Sequence, residues 1–222
     1  MRFGARRFEA LWRRRIASPP SPHGAAVYER LAASLEAPSR HYHTLAHIRD
    51  CVERVDSIAD RLEDAGAVEL ALWFHDTLLT PGARDNERRS TLLFLDLAGG
   101  AARSLRCRVA RLILATTHAR AAVGGDRAYI VDIDLAGLAA PWDRFMQAGE
   151  LLRREAPEQS DADFYRGQVG FLSALLERPH LYATEHFRAS CEAPARANLA
   201  RLLALRAAQG YGVPGTVPTR TQ

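Results

Sequence analysis

The chain contains no lysine: all 30 of its Lys+Arg positions are arginine. Arginine is the favoured fork for phosphate, so the first question is whether this is a nucleic-acid binder. The arginines are dispersed among 26 acidic residues and leave a net charge of only +4, with no single basic stripe. Together with the alanine-rich text, the bias reads as the codon usage of a GC-rich genome, and a nucleic-acid partner is not favoured. Cysteine is scarce as well. Cys51, Cys107 and Cys191 are far apart and form no C-x-x-C, which excludes a disulfide framework or thiolate zinc site and points to a reducing, cytoplasmic setting. No apolar run is long enough to span a bilayer, so no membrane partner is expected. Hydrophobic residues at 47% and charged residues at 25% are ordinary for a globular chain.

What is present reads as helix after helix. The arginine-rich start resembles an organelle presequence in composition, but Glu9 interrupts it. Phe8, Leu11, Trp12 and Ile16 share one side, which predicts an amphipathic first helix over about 5–17. Helical spacing continues over 24–36, from His47 to about Leu62, over 67–79 up to "TPG", over 86–97 up to "GG", and over 105–119. Only "AYIVDIDL" (128–135) has strand-like composition, and periodicity leaves a short strand and the lead-in to a helix equally open there. Residues 141–155, 161–177 and 192–209 read as helix, and 210–222 as a loose tail. The expectation is one all-α domain over 1–209.

The chemistry begins at "WFHDTLL" (73–79), where His75 and Asp76 sit side by side in apolar text. A buried imidazole or carboxylate needs a partner, and a metal ion satisfies both. Neighbours on a helix point about 100° apart, so the two converge on one ion only if it lies in the angle between them. His47 opens an earlier helix, and Asp132 and Asp134 fall in later apolar text. Imidazole nitrogens with carboxylate oxygens suit zinc, manganese, iron or nickel.

Several blocks occur in order along nearly the whole chain: "RHYHTLAHI" (40–48), "WFHD" (73–76), "DNERRS" (85–90), "LILATTHAR" (112–120), "DIDLAGL" (132–138), "RPHLYAT" (178–184) and "ARANL" (195–199). In this the chain resembles the HD-domain metal-dependent phosphohydrolases, and most closely their small predicted-phosphohydrolase branch. The resemblance implies an all-α HD helical bundle with one or two divalent metals. It maps the ligands to His47, His75, Asp76 and Asp134, leaving Asp132 to cap the following helix. It also implies hydrolysis of a small phosphorylated molecule or nucleotide, without naming the substrate.

Two departures from that family carry weight. Leu79 stands where some HD nucleotidases carry a glutamate as general base, and Leu135 where others carry a phosphate-gripping lysine. The proton acceptor is therefore sought in Asp76, Asp85 or Glu87, and the phosphate contact in Arg40, Arg88 or Arg89. His43 reads either as a substrate contact or as a surface histidine. His118 reads as a second-metal or phosphate contact, or as a histidine favoured by a helix C-terminus. Two histidines and two aspartates leave positions for water on an octahedral ion, so Mn²⁺, Fe²⁺, Ni²⁺ or Mg²⁺ is expected ahead of Zn²⁺. Two rival readings stand beside hydrolysis. One is a nucleotide-sensing HD protein without turnover; the other is a di-iron HD oxygenase, for which His118 alone supplies too few extra histidines. Glu192, Arg196 and Asn198 read as a structural ion pair or cap in the last helix.

Overall fold

The structure is a computed structural model that describes residues 4–16, 19, 21–118 and 124–212. Among the described residues there are ten α-helices and two short 3-10 helices, with no strand, as the all-α reading expects. They gather into two compact units, Met1–Leu135 and Ala136–Gln222, where the sequence reads as one domain.

The first unit holds α1 (Ala5–Arg15), α2 (Gly24–Leu35), α3 (Leu45–Ser57), α4 (Ala65–Phe74), α5 (Asn86–Leu97), α6 (Arg103–Ala115) and α7 (Gly125–Leu135). Its hub is α4, which touches α1, α3, α5, α6 and α7. Every residue from Ala67 to Phe74 is buried, all apolar but Glu69, as suits a helix with neighbours all round it. Asp64 starts it by accepting a hydrogen bond from the Ala67 amide at 3.0 Å. Around Trp73 and Phe74 lies an aromatic cluster. Phe8 meets Trp73 edge-on at 5.3 Å between ring centroids, Tyr28 meets it at 5.9 Å, and Phe74 meets Phe94 at 5.2 Å. Gly4, at φ 75°, lets α1 begin directly against Trp73; a Cβ there would lie 2.6 Å from the indole.

Polar ties fix the angles between these helices. Arg7 on α1 donates to both Asp56 oxygens at 2.6 and 2.7 Å, and to Glu69 on α4 at 2.7 and 2.9 Å. The buried Asp126 carboxylate, at the start of α7, accepts from the Glu63 amide at 2.8 Å and the Asp64 amide at 3.0 Å. It thereby satisfies donors just before α4 that no helix reaches. Arg108 on α6 lies 3.5 Å from Asp126, while His118, just beyond α6, lies 2.8 Å from Asp134 near the end of α7. Pairs in that order mean that α6 and α7 run side by side in the same direction.

The second unit holds the 3-10 turn Ala136–Ala139, α8 (Trp142–Arg154), α9 (Asp161–Leu176) and α10 (Glu185–Ala208). Here Glu192, Arg196 and Asn198 have the structural duties expected of them. Glu192 pairs with Arg196 at 2.7 Å and accepts from the Leu181 and Tyr182 amides. Asn198 donates to the carbonyls of Leu138 and Ala140 at 2.9 and 2.8 Å.

Several boundaries differ from the sequence reading. "AYIVDIDL" lies within α7, so helix prevails over strand. Asp132 sits inside that helix with no exposed surface and is not a cap. The segment after His47 ends its α-helix at Ser57, and α4 stops at Phe74, well short of residue 79. The last helix begins at Glu185 and runs through Pro194. Of the tail, 213–222 lies outside the described residues. Gly210 closes α10 at φ 84°, and Tyr211 packs on Tyr165 with centroids 5.0 Å apart.

Candidate metal centre

Three elements of the first unit present the candidate ligands. Thr44 accepts from the Ala46 amide at 3.2 Å and starts α3, placing His47 in its first turn. The end of α4 delivers His75 and Asp76. The last turn of α7 delivers Asp134. One donor atom from each of these four side chains lies within 4.8 Å of all the others. His47 Nε2 is 3.4 Å from His75 Nε2, 3.5 Å from Asp76 Oδ2 and 3.5 Å from Asp134 Oδ1. His75 Nε2 is 2.8 Å from Asp76 Oδ2 and 3.5 Å from Asp134 Oδ1. Donors about 2.1 Å from a shared ion stand about 3 Å apart at right angles and about 4.2 Å apart when opposed. The separations given, 2.8 to 3.5 Å, cluster near the first of these spacings.

The donor set fits a cation on chemical grounds too. His75 Nδ1 sits 2.8 Å from the Leu72 carbonyl and donates to it, so a neutral His75 turns the lone pair of Nε2 towards the other three donors. Two neutral imidazoles and two carboxylates carry two negative charges, which a divalent ion balances. The electrostatics show the same attraction. Burial lowers the His75 pKa, but the facing carboxylates of Asp76 and Asp134 outweigh it and hold it well above the ordinary value. Burial pushes Asp76 up, yet His75 and His43 opposite hold it below the carboxylate range. Asp134 is likewise held well down against its burial, first by His118 and then by His47 and His75.

Around this core the remaining sequence-predicted residues divide. His43 joins it, with Nε2 3.9 Å from Asp76 Oδ2. His118 joins it through Asp134 Oδ2 at 2.8 Å. It does so three residues past the end of α6, at φ 54°, and not as the last residue of the helix. Glu87, in the first turn of α5, is placed by its neighbours. Asn86 exchanges hydrogen bonds with the Thr80 amide and carbonyl at 2.9 and 3.1 Å, and Ser90 accepts from the Leu78 amide at 3.1 Å. These hooks dock the start of α5 on the segment that follows Asp76. Burial raises the Glu87 pKa, and nearby Asp76 raises it further.

The arginines lie otherwise. Arg40 donates to the Thr77 carbonyl at 2.8 Å and to the His43 carbonyl at 3.4 Å, tying the 40–44 segment to the turn after Asp76. Arg89 donates to Thr80 Oγ1 at 2.9 Å. Arg88 and Asp85 are exposed. One neighbour escaped the sequence reading. Tyr42 packs against both His43 and His47, with centroids 5.0 and 5.2 Å away. Its only signal was its place between two histidines. No protein-family model, no curated protein and no solved structure matches the chain in comparison.

Proposed function

We propose that the chain is a metal-dependent phosphohydrolase that acts on a small phosphoester or nucleotide. The observation that carries this reading is the convergence of His47, His75, Asp76 and Asp134 donor atoms within 4.8 Å. The ordered sequence blocks of the HD-type phosphohydrolases, from "RHYHTLAHI" to "ARANL", support it from a second direction. A divalent ion bound there supplies Lewis acidity, bringing water towards ionisation at neutral pH and drawing charge from a phosphoryl oxygen.

The chain's own groups divide the remaining work. Glu87 is the proton acceptor of choice over Asp85, because it feels Asp76, His118 and His75 while Asp85 is exposed. Burial raises its pKa towards the range in which a carboxylate exchanges protons usefully. His43, partly exposed beside Asp76, hydrogen-bonds a phosphoryl oxygen. Arg40 braces the 40–44 segment through its carbonyl contacts and leaves the phosphate to the imidazoles. His118 holds Asp134. Mn²⁺, Fe²⁺, Ni²⁺ or Mg²⁺ is the expected ion, since four protein donors leave room on an octahedral centre.

The test is direct. Chelator-stripped protein is supplied with each ion in turn and with a panel containing p-nitrophenyl phosphate, nucleoside monophosphates and nucleoside triphosphates. Ion-dependent phosphate release that disappears in Asp76→Ala supports hydrolysis. Nucleotide binding with no turnover under any ion replaces it with a sensing role, and oxygen uptake with ferrous iron replaces it with oxygenase chemistry. Among the described residues no helix is long and apolar enough to cross a membrane.

A further inference from the structure

The first unit has a second concavity that the metal centre does not use. It is a cavity of about 760 Å³, lined by one face of α6, the start of α7 and Glu63. Three guanidiniums border it: Arg108, Arg111 and Arg127. Arg108 is engaged, 3.2 Å from Glu63 and 3.5 Å from Asp126, so one guanidinium serves both acids of the lining. Arg111 and Arg127 are exposed and form no ion pair with any described residue. One α6 residue and one α7 residue thus hold two guanidiniums over a single hollow, whose three arginines against two acids leave a net charge of +1.

We propose that this cavity binds a small phosphate-bearing molecule, with Arg111 and Arg127 gripping the phosphate. Two guanidiniums outside any ion pair among the described residues, on a lining of net charge +1, attract the anionic group of a phosphate monoester or pyrophosphate. Their planar forks match its oxygens in pairs. The volume exceeds what a bare phosphate fills and lies in the range of small-molecule sites. The organic portion of the ligand then rests on Ser104, Cys107 and Leu112, which offer a hydroxyl, a thiol and an apolar edge. Asp126, which lines the cavity, and Asp134, at the metal centre, are eight residues apart on α7, about 12 Å along a helix axis. The two sites are therefore separate, and occupancy of one does not require the other.

Isothermal titration calorimetry tests this with pyrophosphate and ribose 5-phosphate as probes, in chelator so that no ion bridges phosphate to the metal centre. The wild type and Asp76→Asn are expected to bind with the same affinity. Arg111→Ala and Arg127→Ala each weaken binding about tenfold, the usual worth of one charge-assisted hydrogen-bonding group. The exposed pair Arg13→Ala/Arg30→Ala, elsewhere on the same unit, leaves binding unchanged and so excludes general attraction to a basic surface. Far-ultraviolet circular dichroism of each variant confirms that its helices remain. Absence of binding at millimolar probe overturns the proposal. So does undiminished binding by the Arg111/Arg127 variants, loss of binding in Asp76→Asn, or equal weakening by the control pair.

Discussion

His118 Nε2 lies 2.8 Å from Asp134 Oδ2, while the other oxygen of the same carboxylate faces His47 and His75 at 3.5 Å each. A candidate ligand carboxylate held from behind in this way keeps its orientation with or without an ion. His118→Ala is therefore expected to weaken Mn²⁺ binding about 10–100-fold, the usual effect of removing a group that steadies a ligand. His118→Asn, which tolerates the left-handed backbone at that position and retains a donor, recovers part of the loss. Calorimetric titration of the metal-free variants reads both; unchanged affinity in His118→Ala rejects the role.

The proposed metal site would link ion binding to folding through the same four side chains. An ion that binds only the folded chain stabilises it by about 2.7 kcal/mol at about a hundredfold excess over Kd. Thermal melting of the wild type should rise on adding Mn²⁺ after chelation. Asp134→Ala should show no such rise. An equal rise in both would place the ion elsewhere.

Glu87 sets an expected pH profile. Its pKa is raised, by burial first and by Asp76 second, so it holds its proton to a higher pH than an ordinary glutamate. If it accepts the proton in the reaction, activity rises as pH climbs through that displaced value and flattens above it. Glu87→Gln should abolish this acidic limb and lower turnover about 10²–10⁴-fold while metal affinity persists. A profile identical to wild type assigns the proton to another group.

Acid should loosen the fold at carboxylates remote from the metal centre. Asp56 is held low by hydrogen bonding to Arg7. Asp64 is held low against its burial by Arg15 and the Ala67 amide. Groups with a depressed folded pKa contribute stability that is fully present above the unfolded value of about 4 and is lost as pH falls through the folded one. Urea midpoints measured from pH 7 downwards should therefore drop below about pH 4. Asp64→Asn, which can still cap α4 but cannot pair ionically with Arg15, should show a shallower decline, along with a loss of up to about 1 kcal/mol at neutral pH.

The Arg7 fork offers a stability test of its own. Glu69 is 7% exposed and depends on Arg7 for its pairing. Arg7→Ala leaves that carboxylate buried without its partner, at an expected cost of about 2–4 kcal/mol. Adding Glu69→Met to Arg7→Ala should restore a good part of it, because the stranded charge is gone. Chemical denaturation of the single and double variants decides.

The sequence carried the site better than the framework around it. His75 and Asp76 stand out because two costly groups interrupt apolar text, and His47 because it opens a periodic helix. Asp134 could not be told from Asp132 by pattern alone; the turn of α7 turns Asp134 to the histidines and buries Asp132 completely. The contacts of Arg40 were not legible, since a guanidinium's reach says nothing of whether a backbone carbonyl such as that of Thr77 will occupy it. "AYIVDIDL" is β-branched and apolar, and tertiary burial against α3, α4 and α6 makes it helix all the same. The boundary at Leu135 and Ala136 has no proline- or glycine-rich linker to announce it, because a 3-10 turn follows α7 without a break.

Asp126 anchors the beginning of α7 to the two amides just ahead of α4, and the ligands sit at the far ends of those two helices. Both are in effect measured out from one peg, so the length of each fixes where its end meets the other's. Inserting or deleting a single residue between Asp126 and Asp134 would swing the carboxylate about 100° around its axis, whereas substitutions along the way leave it in place. Divergent descendants of this chain should accordingly keep the spans 64–76 and 126–134 constant in length, and keep Asp126, His75, Asp76 and Asp134 at their ends, while the buried positions between exchange one apolar residue for another.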